Sequence, residues 1–224
     1  MTDAVLLTGG GDFDDPWHPF RATAARIAQV LDGLGVRTTI VDGAAGFADA
    51  VAAGPDLVVV QASNAYEPTS GDDLVLDAVA AHLAGGRPLL AVHSATCLFV
   101  DRPEWAATLG GRWVPEESYH PELGEAHVRL EPHPITAGLV DVEAVDERYT
   151  ALSVSPEVGV LAWHEEAGAR HPLAWTHRVG GANVVYDALG HDERSYDSPS
   201  RRALLEREVG WLLSPAAAPP PAGS

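Results

Sequence analysis

Short, continuous apolar runs alternate with segments of helical periodicity in the first part of the chain. The runs cover residues 4–8, 57–61 and 89–92, and residues 36–41 are a further predicted strand of this region. Continuous apolar runs of this length are typical of buried strands in a parallel sheet. Between them, apolar residues recur every three or four positions, as in residues 20–34, which indicates amphipathic helices. The alternation predicts an α/β fold with a mostly parallel, doubly wound sheet and right-handed crossovers.

The second half of the chain adds strands of a different kind. Residues 126–131 alternate between apolar and polar side chains, which predicts a half-exposed strand. Residues 158–163, 173–176 and 182–188 are further strand candidates, and Ser198 can cap a final helix. We therefore expect one domain over residues 1–213, in which these extra β-strands extend the sheet. Residues 214–224 are rich in proline and alanine, and we expect them to form a disordered tail.

The run at residues 89–92 ends at His93, and the small residues Ser94 and Ala95 follow at once. A sharp turn from a strand into a helix presents its tip residue to solvent. Ligands of open α/β sheets bind at the carboxyl ends of the strands. We therefore predict that His93 lies in a ligand-binding cleft. Cys97, about one helical turn later, is expected to point away from that cleft as a buried, inert thiol.

The composition excludes several classes of function. The 224-residue chain carries a formal net charge of −18, which repels phosphate backbones and anionic lipids, so we expect no nucleic-acid and no membrane partner. A single cysteine cannot form an intramolecular disulfide. No apolar run approaches the ~20 residues of a membrane span, and the first three residues lack the basic start of a signal peptide. We expect a cytoplasmic protein.

Ten histidines raise the question of a metal site. Six of them are expected at the surface or in a turn, namely His82, His127, His133, His164, His171 and His177. Of the others, His18 follows the glycine-rich end of the first strand, and His93 and His191 each end a predicted strand. If those strands are neighbours, three imidazoles meet at one edge of the sheet. His120 lies in an irregular loop that could fold over the same edge.

Two kinds of chemistry remain open for these histidines. With a carboxylate such as Asp12, Glu147 or Glu193, the imidazoles of His18, His93 and His191 would make a Zn²⁺, Mn²⁺ or Fe²⁺ site. The same groups could instead move protons without a metal, because imidazole titrates near neutral pH. His93 alone could also be a core histidine that is bonded to a backbone carbonyl.

Several segments, taken in order, resemble the ThuA-like (trehalose-utilisation) family. They are residues 8–10, 18–20, 90–95, 109–113, 133–139, 146–149, 173–175, 180–186 and 189–191. The resemblance runs through nearly the whole chain up to residue 213. It implies the class I glutamine amidotransferase-like fold, a flavodoxin-like three-layer sandwich.

The same resemblance shows a departure from the chemistry of the class I glutamine amidotransferases. Amidotransferases of this class carry a nucleophilic cysteine at the turn, within GxCxG, and a His-x-Glu pair later in the chain. Here the turn reads Ala-Val-His-Ser-Ala over residues 91–95, whereas His191 and Glu193 keep the His-x-Glu spacing. Without a thiol at the turn, glutamine hydrolysis through a thioester is not expected.

What the resemblance implies about function is a role in carbohydrate metabolism, linked to trehalose or keto-sugar processing. We therefore expect a sugar-processing hydrolase or isomerase with a small-molecule carbohydrate as its partner. His93 and His191 would be base and acid, and Glu193 would fix the tautomer of His191. Asp146 or Glu147 could supply a second carboxylate. Substrate-binding candidates at the same edge are Trp17, Asn64, Ser94, His120 and Tyr149.

Three alternatives stay open at this point. The chain could be a non-catalytic sugar-binding or interaction module that retains the amidotransferase scaffold without its cysteine. It could be an amidase that uses Cys97. It could also act as a homo-oligomer, which its sequence does not decide.

Overall fold

The chain forms eleven strands and five helices in the part that the structure describes. The structure is a computed structural model and describes residues 1–64 and 67–214. The strands are β1 (Thr2–Thr8), β2 (Val36–Val41), β3 (Leu57–Gln61), β4 (Leu89–Val92), β5 (Gly111–Arg112), β6 (Gly124–Leu130), β7 (Val142–Asp146), β8 (Ser153–Val154), β9 (Gly159–Glu166), β10 (Ala169–Val179) and β11 (Ala182–Asp187). The helices are α1 (Phe20–Gly33), α2 (Ala44–Ala52), α3 (Asp72–Ala84), α4 (Pro103–Leu109) and α5 (Pro199–Leu212).

Nine of the strands form one sheet in the order β2-β1-β3-β4-β11-β10-β9-β6-β7. The first five in this order are parallel to one another. The other four continue the sheet with antiparallel pairs. The predicted α/β fold is therefore confirmed, and the extra strands of the second half form the antiparallel block. The short strands β5 and β8 pair separately.

Helices lie on both faces of the parallel block. α1 contacts α5, and α2 contacts α3. The chain moves outward from β1 to β2 and then returns across β1 to β3, so successive right-handed crossovers place α1 and α2 on opposite faces. This arrangement is the expected three-layer sandwich. The reversal between β1 and β3 creates a switch point at their carboxyl ends, where ligands of such sheets bind.

The antiparallel block curls back toward the middle of the sheet. β7 is the last strand in the sheet order, yet it contacts α5, which also packs against β4 and β11. Glu147, the residue after β7, reaches His93 at the end of β4. The curl therefore brings the end of an edge strand to the carboxyl ends of the central parallel strands.

A buried polar group lies beneath α5. Arg201 and Asp187 are both fully buried, and Nη1 of Arg201 lies 2.9 Å from Oδ2 of Asp187. Glu208 on the same helix is also fully buried. Burial, reinforced by the charge of Asp187, raises the pKa of Glu208 well above its usual value. We therefore treat Glu208 as a neutral acid at this position.

Several details differ from the sequence-based expectations. His82 and His164 are buried rather than on the surface. His82 bonds to the carbonyl oxygen of Pro88 through Nε2 at 2.9 Å, and His164 lies 3.2 Å from the hydroxyl of Thr150. These polar partners pair Nε2 of each ring inside the protein, whereas Nδ1 of each ring has no hydrogen-bond partner among the described residues. The helix expected after His93 is only a 3₁₀ segment, His93–Cys97.

Two further expectations concern membrane-spanning helices and the C-terminal residues. None of the described helices combines the length and the apolar composition that crossing a membrane requires. Residues 215–224, where we expected a disordered tail, lie outside the described residues.

Candidate active site

Four side chains from distant parts of the sequence meet at the carboxyl ends of the parallel strands. His18 follows β1, His93 follows β4, Glu147 follows β7 and His191 follows β11. One nitrogen or carboxylate oxygen from each of them lies within 4.8 Å of all the others. We call these four residues the His–Glu cluster. The sequence predicted the meeting of the three histidines and offered Asp12, Glu147 or Glu193 as their carboxylate, and in the structure Glu147 is the one that joins them.

His93 occupies the turn after β4 in a backbone conformation that is unusual for a residue with a side chain. Its φ is 51°, in the left-handed region. Its Nδ1–H donates to the carbonyl oxygen of Ala188 at 2.6 Å, and Nε2 lies 3.1 Å from the hydroxyl of Tyr149. The ring thus faces the cluster, but His93 is fully buried. The expectation that the turn exposes His93 directly to solvent is wrong, because neighbouring side chains cover it.

Asp15 fixes the orientation of His18. Both carboxylate oxygens of Asp15 lie 2.8 Å from Nδ1 of His18. Oδ1 also accepts hydrogen bonds from the backbone N–H groups of Trp17 and His18 at 2.9 and 3.0 Å. Burial alone would raise the pKa of Asp15, but His18 and these bonds hold it below its usual value. Burial lowers the pKa of His18, and the nearby His93 adds to that effect.

Glu147 connects the histidines of the site. Its Oε1 lies 3.3 Å from Nδ1 of His191 and 3.5 Å from Nε2 of His120, and its Oε2 lies 3.5 Å from Nε2 of His93. Burial alone would raise the pKa of Glu147, but His191 and His93 hold it well below its usual value. Burial opposes a charge on His191, yet the Glu147 carboxylate raises the pKa of His191. At neutral pH Glu147 is therefore an anion, and its charge favours the protonated form of His191.

Glu193 does not take the role that the His-x-Glu spacing predicted. Its side chain is exposed, whereas His191 turns Nδ1 toward Glu147. The spacing fails as a guide because the chain bends into a loop immediately after His191. The residue that contacts His191 comes from a different strand, so no local spacing could identify it.

Asp146 supports the site from beneath without reaching the cavity. It is fully buried, and its carboxylate accepts hydrogen bonds from the backbone N–H groups of Gly190 and His191 at 2.8 and 3.1 Å. The hydroxyl of Ser195 donates to the same carboxylate. Burial raises the pKa of Asp146. Asp146 therefore ties the end of β7 to the loop that carries His191, which makes it a positioning residue.

A cavity of about 580 Å³ opens above the cluster. This volume falls within the roughly 300–1,000 Å³ of small-molecule sites. The indole of Trp17 is 58 % exposed and forms an open wall. The rings of Trp113 and Tyr149 pack edge to face with centroids 4.9 Å apart. The lining residues are Asp15, Pro16, Trp17, His18, Ser63, Cys97, Trp113, His120, Glu147, Tyr149 and His191.

The predicted substrate-binding residues divide into two groups. Trp17, His120 and Tyr149 line the cavity. Asn64 and Ser94 are buried beside it, and the hydroxyl of Ser94 donates to the carbonyl oxygen of Ala62 at 3.4 Å. The cavity wall described here does not include either of them. The side chain of Asp12 lies outside the described part of the structure.

Sequence reasoning missed three contributors and misplaced one. Asp15, Ser63 and Trp113 line the cavity without having been singled out as site residues. For Asp15, a signal was present, because an acid three residues before a histidine can reach its ring. Cys97 also lines the cavity, so the expectation that it points away from the cleft is wrong. Its placement follows from the tight 3₁₀ turn, in which the chain has not yet moved away from the strand ends.

The arrangement supports proton transfer and, in its donor set, metal binding. A carboxylate and a backbone carbonyl hold the outer nitrogens of His18 and His93, so that their Nε2 atoms face each other at 3.1 Å. His18, His93, Glu147 and His191 are the residues that could hold an ion. His191, His120 and Glu147 are the groups that could exchange protons with a ligand in the cavity.

Comparison with known proteins gives one family and several related folds. The ThuA family model, described as trehalose utilisation, matches residues 14–212. Among curated proteins, none matches the sequence of this chain.

Solved structures show where the fold recurs. A ThuA-like protein of Parabacteroides merdae is 18 % identical with a TM-score of 0.79, and the match covers 95 % of this chain and 90 % of that one. A ThuA-like protein of Bacteroides uniformis is 16 % identical with a TM-score of 0.74, covering 96 % and 92 %. A cold-adapted β-galactosidase of Rahnella sp. R3 is 17 % identical with a TM-score of 0.63, covering 93 % of this chain but 31 % of the enzyme. Identities at this level indicate a shared fold.

Proposed function

Because the chain belongs to the ThuA (trehalose-utilisation) family, we propose that it processes a small carbohydrate in the cavity above the His–Glu cluster. The reaction class is hydrolysis or isomerisation of a disaccharide or keto sugar. The observation that carries this proposal is the placement of Glu147 between His191 and His120 at the floor of a cavity with aromatic walls.

The walls suit a sugar ring. The C–H face of a sugar is apolar and packs on flat aromatic surfaces, and Trp17 offers such a surface at the rim. The hydroxyl groups of a sugar need several hydrogen-bond partners, which Ser63, His120 and Glu147 provide around the same space. A cavity with both kinds of surface fits a small polyol better than a flat cofactor or an extended peptide.

The floor suits proton transfer. The Glu147 carboxylate raises the pKa of His191, so that ring can keep a proton near neutral pH and donate it to a leaving or carbonyl oxygen. His120 is the more exposed imidazole, and its Nδ1 bonds to the carbonyl oxygen of Pro121 at 2.9 Å. That bond places the proton on Nδ1 and leaves Nε2 as a proton acceptor. Acid and base thus flank one carboxylate.

Glutamine hydrolysis is not part of the proposal. The turn that carries the nucleophile in amidotransferases holds the imidazole of His93 here, and an imidazole cannot form the thioester. A non-catalytic sugar-binding module is the second candidate. The complete burial of His93 favours it, because the tip of the turn offers no surface to a ligand.

The test is turnover of a panel of disaccharides, trehalose first, and of their keto forms, followed by product analysis. In the Glu147→Gln variant, we expect kcat/KM to fall by about 10²–10⁴-fold. Glu143→Gln is the matched control, since Glu143 is exposed on the same strand, and it should retain wild-type turnover. Sugar binding without turnover would support the binding module. Glutamine-dependent ammonia release that Cys97→Ser abolishes would refute both candidates.

A further inference from the structure

We infer that His18, His93, Glu147 and His191 bind one divalent transition-metal ion, of which Zn²⁺, Mn²⁺ and Fe²⁺ are the first to test. This inference goes beyond sugar processing, because it concerns the protein before any sugar binds. It rests on the direction of the ring nitrogens, on their separations and on the groups that hold the rings from outside.

The direction of the lone pairs is the first argument. The carbonyl of Ala188 and the carboxylate of Asp15 can only accept, so Nδ1 carries the hydrogen in both His93 and His18. In a neutral ring, Nε2 then carries a lone pair. The two Nε2 atoms are 3.1 Å apart. Two lone pairs at this distance repel each other unless a proton on one Nε2 or a cation lies between them, and a bound metal ion would supply that positive charge.

The separations also fit one ion. At metal–nitrogen distances of about 2.0–2.1 Å, neighbouring ligand atoms are about 2.8–3.4 Å apart. The two Nε2 atoms of His18 and His93 are 3.1 Å apart, Nδ1 of His191 is 3.3 Å from Oε1 of Glu147, and Nε2 of His93 is 3.5 Å from Oε2 of Glu147. The widest separation within the set is at most 4.8 Å, so an ion needs only small side-chain rotations to reach all four.

The outer contacts resemble those of metal-binding histidines. Ligating histidines commonly donate their other N–H to a carboxylate or a backbone carbonyl, which fixes the ring and its tautomer. His18 has the carboxylate of Asp15 and His93 has the carbonyl of Ala188. Nδ1 of His191 is buried and makes no aligned hydrogen bond with any described residue, although Glu147 lies close by. An ion would satisfy this atom.

The donor set selects the class of ion. Three imidazoles and one carboxylate suit Zn²⁺, Mn²⁺, Fe²⁺ and their neighbours in the first transition row. Mg²⁺ and Ca²⁺ prefer oxygen ligands, so neither should bind here with useful affinity. The cavity above Glu147 and His191 leaves one side of the ion open to a ligand such as a sugar oxygen.

The experiment uses full-length protein that is purified without a histidine tag and stripped with a chelator. Zn²⁺, Mn²⁺, anaerobic Fe²⁺ and Mg²⁺ are added in separate titrations, and Tm is measured. At an ion concentration of 100 times Kd, a specific ion should raise Tm by about 5–11 °C, and Mg²⁺ should not raise it. Absence of a shift with all three transition ions would overturn the inference.

Variants locate the ion. His191→Ala should weaken metal binding by more than about 100-fold. This loss exceeds the roughly 10–100-fold that is typical when a residue contacts a ligand but not the metal. His127→Ala is the matched control, because its side chain is 70 % exposed and lies outside the set of four, and the metal affinity of this variant should stay within about threefold of wild type. Equal losses in the two variants would refute the assignment. Metal binding without sugar turnover would refute the proposed function alone, and sugar turnover by a protein whose Tm no transition ion shifts would refute this inference alone.

Discussion

The carboxylate of Asp15 offers a sharp test of how the His–Glu cluster is oriented. In Asp15→Asn, the amide oxygen can still accept from the backbone N–H groups of Trp17 and His18, as Oδ1 does now. The second carboxylate oxygen is replaced by an NH₂ donor next to Nδ1 of His18. In the wild-type protein, this nitrogen lies 2.8 Å from both carboxylate oxygens. A donor at that position favours Nδ1 as the acceptor over Nδ1 as a donor to the remaining amide oxygen, so we expect the hydrogen of the neutral ring on Nε2.

The tautomer change should weaken metal binding and leave the stability of the metal-free protein nearly unchanged. With hydrogen on Nε2, His18 donates to Nε2 of His93, 3.1 Å away, and it can no longer ligate an ion. Losing an outer-shell partner typically reduces metal affinity by about 10–100-fold, or about 1.4–2.7 kcal/mol. The new hydrogen bond replaces a contact between two lone pairs, so we expect the Tm of the metal-free variant to stay within about 2 °C of wild type.

The assay is competition for the metal with a chromophoric chelator, together with thermal unfolding of the chelator-stripped protein. Asp14→Asn is the matched control, since Asp14 is the exposed neighbour and accepts from the N–H of Asp15 at 3.1 Å, which an amide oxygen can also do. Wild-type affinity in Asp15→Asn would refute the tautomer argument. A large fall in the Tm of the metal-free variant would show that Asp15 acts mainly as a folding residue.

The remaining predictions concern stability and the cavity. Burial and Asp187 raise the pKa of Glu208, so its contribution to stability is complete below pH ~4.5 and is lost, by about 1.4 kcal/mol per pH unit, as pH rises toward the raised value. In urea unfolding, the free energy of unfolding of Glu208→Gln should therefore rise relative to that of wild type as the pH increases above about 4.5. A difference between the two proteins that does not change with pH would contradict this. Glu193→Gln should change kcat/KM by less than about twofold because its side chain is exposed, whereas a loss like that of Glu147→Gln would restore the His-x-Glu hypothesis. Trp17→Ala should raise KM about tenfold with little change in kcat, as expected for a lost stacking surface worth about 1.4 kcal/mol.

Parallel strands were the most predictable part of this protein, for a physical reason. Residues 57–61 and 89–92 are almost wholly apolar runs, and the observed β3 and β4 have the same bounds. A strand that is buried on both faces needs apolar side chains at every position, so its ends coincide with the ends of the run. Ser198 likewise accepts from the N–H of Arg201 at the start of α5, as its position predicted.

Buried polar residues were the least predictable part. His82 was assigned to the surface because a histidine inside a helix is usually solvated, yet it is buried and its Nε2 pairs with the carbonyl oxygen of Pro88. That partner comes from the turn that follows the helix, and hydrophobic periodicity carries no information about it. His164 is a comparable case, since its partners at residues 149 and 150 lie on another segment.

The position of Glu147 shows why the site depends on the register of the antiparallel block. Successive side chains of a strand point in opposite directions, so Asp146 and Glu147 at the end of β7 separate. Asp146 turns inward to hold the loop of His191, and Glu147 turns to the imidazoles. The pairing of β7 with β6, in which Asp146 lies opposite Gly124, sets this division. A shift by one residue would exchange the two carboxylates and place the acid of the cluster in the interior. The parallel half of the fold therefore provides the strand ends, and the antiparallel half decides what chemistry occurs there.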